Sequence, residues 1–167
     1  VISNSGLFAL PAELNGSLFI ITALLHFIRV ARWRFWVTLK TPLVWSLHLS
    51  YLCIPLGLLL FGLSELSDLI TQSQAVHALT VGAIGAIVLS MISRVSLGHT
   101  GRELKVGIVM SCAFSAMFLA FIIRVFGIYL FSDYQQVIAI AAALWGIAYS
   151  CFVALYTPIL VSKRIDP

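Results

Sequence analysis

Five long uncharged stretches divide the chain, and they predict five membrane-spanning helices. Charged residues are absent from positions 14–28, 41–64, 69–93, 106–123 and 134–162. A helix needs roughly 20 mostly apolar residues to cross a bilayer, and the first stretch reaches that length with its flanks. The stretches are apolar on all sides, whereas barrel strands alternate apolar and polar positions over about ten residues. We therefore predict an all-α, polytopic transmembrane bundle with spans at about 11–33, 42–63, 76–95, 106–131 and 136–161.

The composition agrees with this class and excludes an ordinary soluble domain. Hydrophobic residues make up 61% of the chain and charged residues only 10%, against about 25% charged residues in soluble domains. The net charge of +4 comes from a few residues between the spans, and the absence of a basic face argues against nucleic-acid binding. We treat residues 1–167 as one transmembrane domain, and the start at Val1 favours a fragment of a longer polytopic protein.

Basic residues collect at one end of the predicted bundle. Nine of the ten lysines and arginines lie near the first or third connection or in the tail, and Arg124 is the exception. Positively charged loops remain in the cytoplasm, so we expect the amino terminus outside and the carboxy terminus inside. Arg124, near the outer end of the fourth span, either extends to the outer headgroups or neutralises an anion.

Two spans carry small residues at four-residue spacing, which lets helix backbones approach closely in lipid. The rows are Ala78, Gly82, Ala86 and Ser90 in the third span, and Ala142, Gly146, Ser150 and Ala154 in the fifth. We expect both rows to pack against neighbouring helices. The alternative is close approach to a planar cofactor.

Histidines near the span ends are the candidate metal ligands, because ionisable groups inside spans usually mark a functional interior. His26 and His48 flank the first connection at depths of about 5 and 10 Å, at a helical rise of about 1.5 Å per residue. Two imidazoles at similar depth can approach one metal. His99 follows the third span on the same side, whereas His77 begins that span roughly 30 Å away. We therefore predict an inner metal site from His26, His48 and His99, or an outer site at His77; the alternative is hydrogen-bonded interfacial histidines.

The strongest local pattern is SRVSLGHTGR at residues 93–102. Two glycines, a histidine and two arginines form a polar turn at the end of the third span. Backbone amides freed by the glycines, together with the two guanidinium groups, could hold an anion. The alternative is a helix stop followed by basic anchors of the cytoplasmic side.

Three segments of the chain resemble the NnrS family and occur in the family's order. They are MISRVSLGHTGR at 91–102, PLVWSLHL at 42–49 followed by IPLG at 54–57, and HALTVGAIG at 77–85. The resemblance covers nearly the whole chain and is to the carboxy-terminal part of the family. It implies a multi-pass protein of the bacterial inner membrane that contains haem and copper and is linked to nitric oxide metabolism or nitrosative stress. The implied partners are the lipid bilayer, the amino-terminal spans of the same protein and nitric oxide as a small gaseous ligand.

The resemblance also marks candidate cofactor-binding residues: His48, His77, His99, Arg94 and Arg102. Imidazoles would serve as axial ligands of a haem, and the arginines would pair with its propionates. We expect His48 to be a haem or copper ligand, with His26 or His99 as its partner. Two other function classes stay open at this point: a membrane channel or transporter, and a structural subunit whose histidines are only interfacial.

Overall fold

The computed structural model describes residues 11–165 and consists of five helices long and apolar enough to cross a membrane. They are α1 (Ala12–Ala31), α2 (Pro42–Leu66), α3 (Gln72–His99), α4 (Ile108–Phe126) and α5 (Tyr134–Val161). Short 3₁₀ turns occupy Phe35–Thr38 before α2 and Gly127–Tyr129 after α4. The all-α class and the five spans are thus confirmed. The predicted single domain also included residues 1–10 and 166–167, which lie outside the described residues.

Side-chain capping explains why α3 begins several residues before the predicted start. The Thr71 hydroxyl accepts a hydrogen bond from the Gln74 amide at 3.3 Å, and Gln74 Oε1 accepts one from the Thr71 amide at 2.9 Å. This capping box supplies acceptors to two backbone N–H groups that the helix itself leaves unpaired. The carboxylate of Asp133 similarly accepts from the Gln135 amide at 2.9 Å and begins α5. Polar residues that mark loops by composition therefore belong to the helix ends.

The antiparallel arrangement of successive helices separates the charges into two ends. The connections α1–α2 and α3–α4 and the tail form what we call the basic end. The opposite end, called the acidic end, carries Glu13, Glu65, Asp68 and Asp133. The predicted cytoplasmic location of the basic end stays a prediction.

Helix α3 lies at the centre of the bundle. It packs against α2 on one side and against α4 and α5 on the other, whereas α1 contacts only α2 among the described helices. One buried cluster joins the basic halves of α2 to α5 and includes Leu43, Leu89 and Phe114. A second cluster towards the acidic end includes Cys53 and Phe121.

The two rows of small residues have different environments. Ala78, Gly82, Ala86 and Ser90 of α3 are all buried, so the expected packing of this row is confirmed. On α5, Ala142, Ser150 and Ala154 are exposed, and a Cβ atom added to Gly146 would meet nothing within 4 Å. The expected packing of the α5 row is therefore wrong within residues 11–165. The reason is that α5 turns a different face inward, formed by Val137, Ala141, Ala148 and Tyr156.

Helix α3 contains a π-helical segment at Ala78–Gly85. Wider π turns leave some carbonyl groups without their usual partner, and such segments often occur at functional sites. Here the Tyr149 hydroxyl donates to the Gly85 carbonyl at 2.9 Å. The π segment places Gly82 against Cys53 and Phe121, where an added Cβ would lie 3.0 Å from Cys53 Sγ and 2.6 Å from Phe121 Cδ2. This segment of α3 thus packs between α2 and α4 and contacts both helices.

Helices α1 and α2 are in close contact at Gly16 and Gly62. A Cβ atom added to Gly62 would lie 2.8 Å from the Gly16 carbonyl oxygen and 2.5 Å from Ile20 Cγ1. Because the obstacle includes backbone, a larger side chain requires the two helices to separate. These glycines set the spacing of the only described helix pair that α1 forms.

We predict that Gly62→Ala destabilises the protein, because overpacking of a close contact typically costs about 1–3 kcal/mol. The measurement is the thermal unfolding midpoint of the detergent-purified protein. Gly146→Ala is the matched control, since its new methyl group would meet nothing within 4 Å. An equal midpoint for wild type and Gly62→Ala would contradict the proposed close contact.

Candidate functional site

His48 has one ring nitrogen committed to the protein and one that accepts no hydrogen bond from residues 11–165. Its Nδ1 lies 3.1 Å from the Thr38 hydroxyl oxygen, and that hydroxyl donates its own hydrogen to the Phe35 carbonyl at 2.6 Å. Since a threonine hydroxyl carries a single hydrogen, the Thr38 oxygen must accept from His48 Nδ1–H. Neutral His48 therefore carries its proton on Nδ1 and its lone pair on Nε2. Metal-binding histidines typically have this arrangement, with the non-ligating N–H held by a protein acceptor.

The His48 ring borders a groove of about 460 Å³ with largely apolar and aromatic walls. The groove is lined by Trp33, Leu47, His48, Tyr51, Ile87 and Met91. Residues of α2 and α3 contribute most of the wall, and Trp33 comes from the connection after α1. Small-molecule and cofactor sites commonly have volumes of about 300–1,000 Å³ and mostly apolar linings with a few polar groups. The groove therefore has the size and character of a cofactor site.

His26 belongs to the same aromatic cluster as His48. Its Nδ1 lies 2.7 Å from the Tyr51 hydroxyl, and the two rings are 5.9 Å apart. Tyr51 contacts Trp33 at a ring separation of 4.7 Å, and Trp33 contacts His48 at 5.4 Å. The structure thus places His26 of α1 against Tyr51 and His48 of α2 against Trp33, and these two aromatic rings contact each other. The Arg29 guanidinium lies over these rings, 5.9 Å from Trp33 and 5.6 Å from Tyr51.

His99 is not brought to this cluster. It is the last residue of α3, is exposed, and lies eight residues beyond Met91, which corresponds to about 12 Å along a helix. Helix α1, which carries His26, makes no contact with α3 among the described residues. No group of three or more His, Cys, Asp or Glu side chains within residues 11–165 is placed to hold a metal ion. A site at the groove would thus depend on one or two imidazoles.

Arg94 is not among the residues that line the groove. It is exposed and follows Met91 by three residues, so both lie on one side of α3 about one turn apart.

The glycine-rich turn at the end of α3 is a helix-terminating motif. The Arg102 amide donates to the Leu97 carbonyl at 3.0 Å, the Gly101 amide donates to Gly98 at 3.2 Å, and Gly101 has φ of 71°. These are the features of a Schellman motif, in which glycine adopts the left-handed conformation. The Arg102 side chain donates to the Ser162 hydroxyl at 2.8 Å and fastens the tail to the turn. The interpretation of residues 93–102 as a helix stop therefore accounts for both backbone hydrogen bonds of this turn.

His77 is engaged at both ring nitrogens. Nδ1 donates to the Ser73 carbonyl at 2.6 Å, and Nε2 accepts from Arg124 Nη2 at 2.9 Å. His77 and His99 lie at opposite ends of α3, as the sequence indicates. A metal at His77 would first have to displace Arg124.

Two polar neighbours of the histidines were missed by the sequence analysis. Thr38 lies in the 3₁₀ turn and Tyr51 lies three residues after His48 on α2. The Tyr51 position has a sequence signal, because residues three apart share a helix face. Thr38 has none, since its position depends on how the connection folds back on α2.

Fold and site together define a multi-pass helical membrane protein with a histidine-bearing, aromatic groove between its helices. A family model described as "NnrS protein" matches residues 2–164, so the chain belongs to the NnrS family. No curated protein and no solved structure gave a significant match to it.

We predict that Gly101→Ala destabilises the α3 terminus, because a left-handed conformation costs a non-glycine residue about 1–2 kcal/mol. The added Cβ would also collide with the Ile165 carbonyl oxygen. Hydrogen exchange of the 97–102 amides should become faster. Gly98→Ala is the control within the same turn, since its nearest contact would be Leu104 at 3.9 Å. Equal exchange in the two variants would refute a special role for Gly101.

Proposed function

We propose that this protein is a haem/copper membrane protein that acts in the bacterial response to nitric oxide, with His48 as its principal metal ligand. Family membership supports the class of protein. The observation that carries the assignment of His48 is its hydrogen bonding: Thr38 accepts from Nδ1–H, and Nε2 accepts no hydrogen bond within residues 11–165.

The residues around the groove fit a planar, mostly apolar cofactor with acidic edges. Trp33 and Tyr51 offer aromatic surfaces, Leu47 and Ile87 offer apolar ones, and Arg94, about one turn beyond Met91 on α3, would pair with an acidic group of the cofactor. A bound haem or copper would supply a metal with a coordination position for a small gas such as nitric oxide. The role of Thr38 is to orient the His48 imidazole and to keep its proton on Nδ1.

We propose His26, rather than His99, as the second histidine of the site. His26 contacts Tyr51, which itself lines the groove. His99 lies at the exposed end of α3 and Arg102 is hydrogen bonded to the tail. We propose that these two residues, despite their place in the family motif, act in the turn at the basic end. For His77 we propose a positioning role towards Arg124.

We propose that the basic end faces the cytoplasm of the bacterial cell, with the inner membrane around the helices. Nine of the ten basic residues at one end support this orientation, because positively charged connections remain on the cytoplasmic side. The groove would then open towards the cytoplasmic half of the membrane.

The metal-ligand assignment predicts that His48→Ala loses bound haem or copper. The purified protein is loaded with haem or with copper and separated from the excess, and metal content and the visible spectrum before and after nitric oxide are recorded. His48→Ala should retain at most about one tenth of the wild-type metal, because removal of a ligand eliminates the strongest bond to it. His99→Ala is the matched control and should retain the wild-type amount. An unchanged metal content in His48→Ala, with wild-type circular dichroism, would overturn the assignment.

The orienting role of Thr38 makes a separate prediction. Thr38→Val keeps the side-chain shape but removes the acceptor for His48 Nδ1–H, so metal affinity should fall by about 10–100-fold. Thr41→Val is the control, because Thr41 is exposed and its side chain makes no capping hydrogen bond to α2. Titration of both variants with haem measures the difference. Equal affinities would show that the Thr38 hydroxyl does not support the ligand.

A further inference from the structure

Arg124 is a half-buried cation without an ion-pair partner in the described part of the chain. It lies in the last turn of α4, near the acidic end. The ion pair between Glu103 and Lys105 is the only one formed within residues 11–165, and it belongs to the basic end. A guanidinium is charged at every physiological pH, and leaving it uncompensated inside a membrane span is costly. The charge therefore calls for an anion from outside these residues.

Two neutral acceptors hold this guanidinium in place. Nη1 donates to the Tyr134 hydroxyl at 3.0 Å and Nη2 donates to His77 Nε2 at 2.9 Å. His77 is itself anchored by the Ser73 carbonyl. These bonds use two of the five N–H donors of an arginine and neutralise none of its charge. The remaining donors are thus available to an oxyanion while the group stays oriented.

Arg124 lines two recesses near the acidic end. One, of about 300 Å³, is otherwise lined by apolar residues and an indole: Val81, Ile138, Ala141, Ala142 and Trp145. The other, of about 280 Å³, is lined by the polar residues Thr71, Ser73, Gln74 and Tyr134 together with the apolar Val125 and Ile128. A cation at the edge of an apolar recess matches an anionic amphiphile.

We propose that this is a binding site for an anionic phospholipid, with the headgroup phosphate on Arg124 and an acyl chain in the recess formed by Val81, Ile138, Ala141, Ala142 and Trp145. Arginine binds phosphate through paired N–H donors. The apolar lining favours a lipid-borne phosphate over free phosphate, because a free ion would gain nothing from those walls. The exposed face of α5 at Ala142 would let the acyl chain of the lipid enter the recess from the bilayer. The site lies at the opposite end of the bundle from the His48 groove, so the lipid proposal does not depend on the proposed cofactor.

The charge requirement is tested by lipid titration of the purified protein in a neutral detergent. Native mass spectrometry measures retained dioleoyl phosphatidylglycerol and, separately, dioleoyl phosphatidylcholine of the same chain length. Wild type should prefer phosphatidylglycerol, and Arg124→Gln should bind it at least about tenfold more weakly, in line with the strength of hydrogen bonds to charged groups. Arg32→Gln removes an exposed charge at the basic end and should bind like wild type. Equal binding by Arg124→Gln and Arg32→Gln would overturn the proposal.

The recess requirement is tested by a variant that leaves the charge and its hydrogen bonds unchanged. Ala142→Leu fills part of the recess, whereas Ala143→Leu changes the exposed neighbouring position outside the recess. Phosphatidylglycerol retention should fall several-fold in Ala142→Leu only. Inorganic phosphate and glycerol phosphate are added as competitors and should not displace the lipid. Displacement at millimolar concentration, or equal retention in the two leucine variants, would overturn the assignment to a lipid.

Discussion

Close contact between helices at glycine positions is the constraint on which the bundle depends. Lipid tails are as apolar as leucine, so the hydrophobic effect gives membrane helices little reason to associate, and packing must supply it. Gly62 brings α2 against α1, Gly57 brings it against Leu79 of α3, and Gly82 brings α3 against Cys53 and Phe121. The contact at Gly62 pairs α1 with α2, and the connection between these two helices carries Trp33 and Thr38, which contact His48.

The two ends of the bundle use histidine in opposite ways. At the acidic end, both ring nitrogens of His77 form hydrogen bonds within the protein, one of them with the Arg124 guanidinium. Towards the basic end, His48 Nδ1 is hydrogen bonded to Thr38, and Nε2 accepts no hydrogen bond from the described part of the chain. The same residue type thus acts as a structural acceptor in one place and is suited to ligation in another. Hydrogen-bond partners, rather than depth in the membrane, distinguish the two.

The sequence was sufficient to predict the helices, because each helix corresponds to a long uncharged, apolar stretch, such as the one that forms α2. It also predicted similar depths for His26 and His48 on antiparallel neighbours, and the structure connects the two histidines through Tyr51 and Trp33; their joint role as ligands stays a prediction. It did not predict the π segment of α3, at whose end the Tyr149 hydroxyl of α5 donates to the Gly85 carbonyl. It could not choose between the two interpretations of residues 93–102, because glycine serves both an anion site and a Schellman motif. The exposed face of α5 was missed for a related reason: a row of small residues does not specify its partner.

Pulsed electron paramagnetic resonance of the metal-loaded protein tests the central claim most directly, that His48 ligates through Nε2 while Thr38 holds Nδ1–H. Histidine is labelled with ¹⁵N, and the coupling of imidazole nitrogens to the metal electron spin is recorded in oxidised wild type and in a His26→Gln background. We predict a directly bound imidazole nitrogen and an exchangeable N–H proton on the same ring in both samples. The absence of any histidine nitrogen coupling in metal-loaded protein, or its loss when His26 alone is replaced, would contradict the assignment of His48.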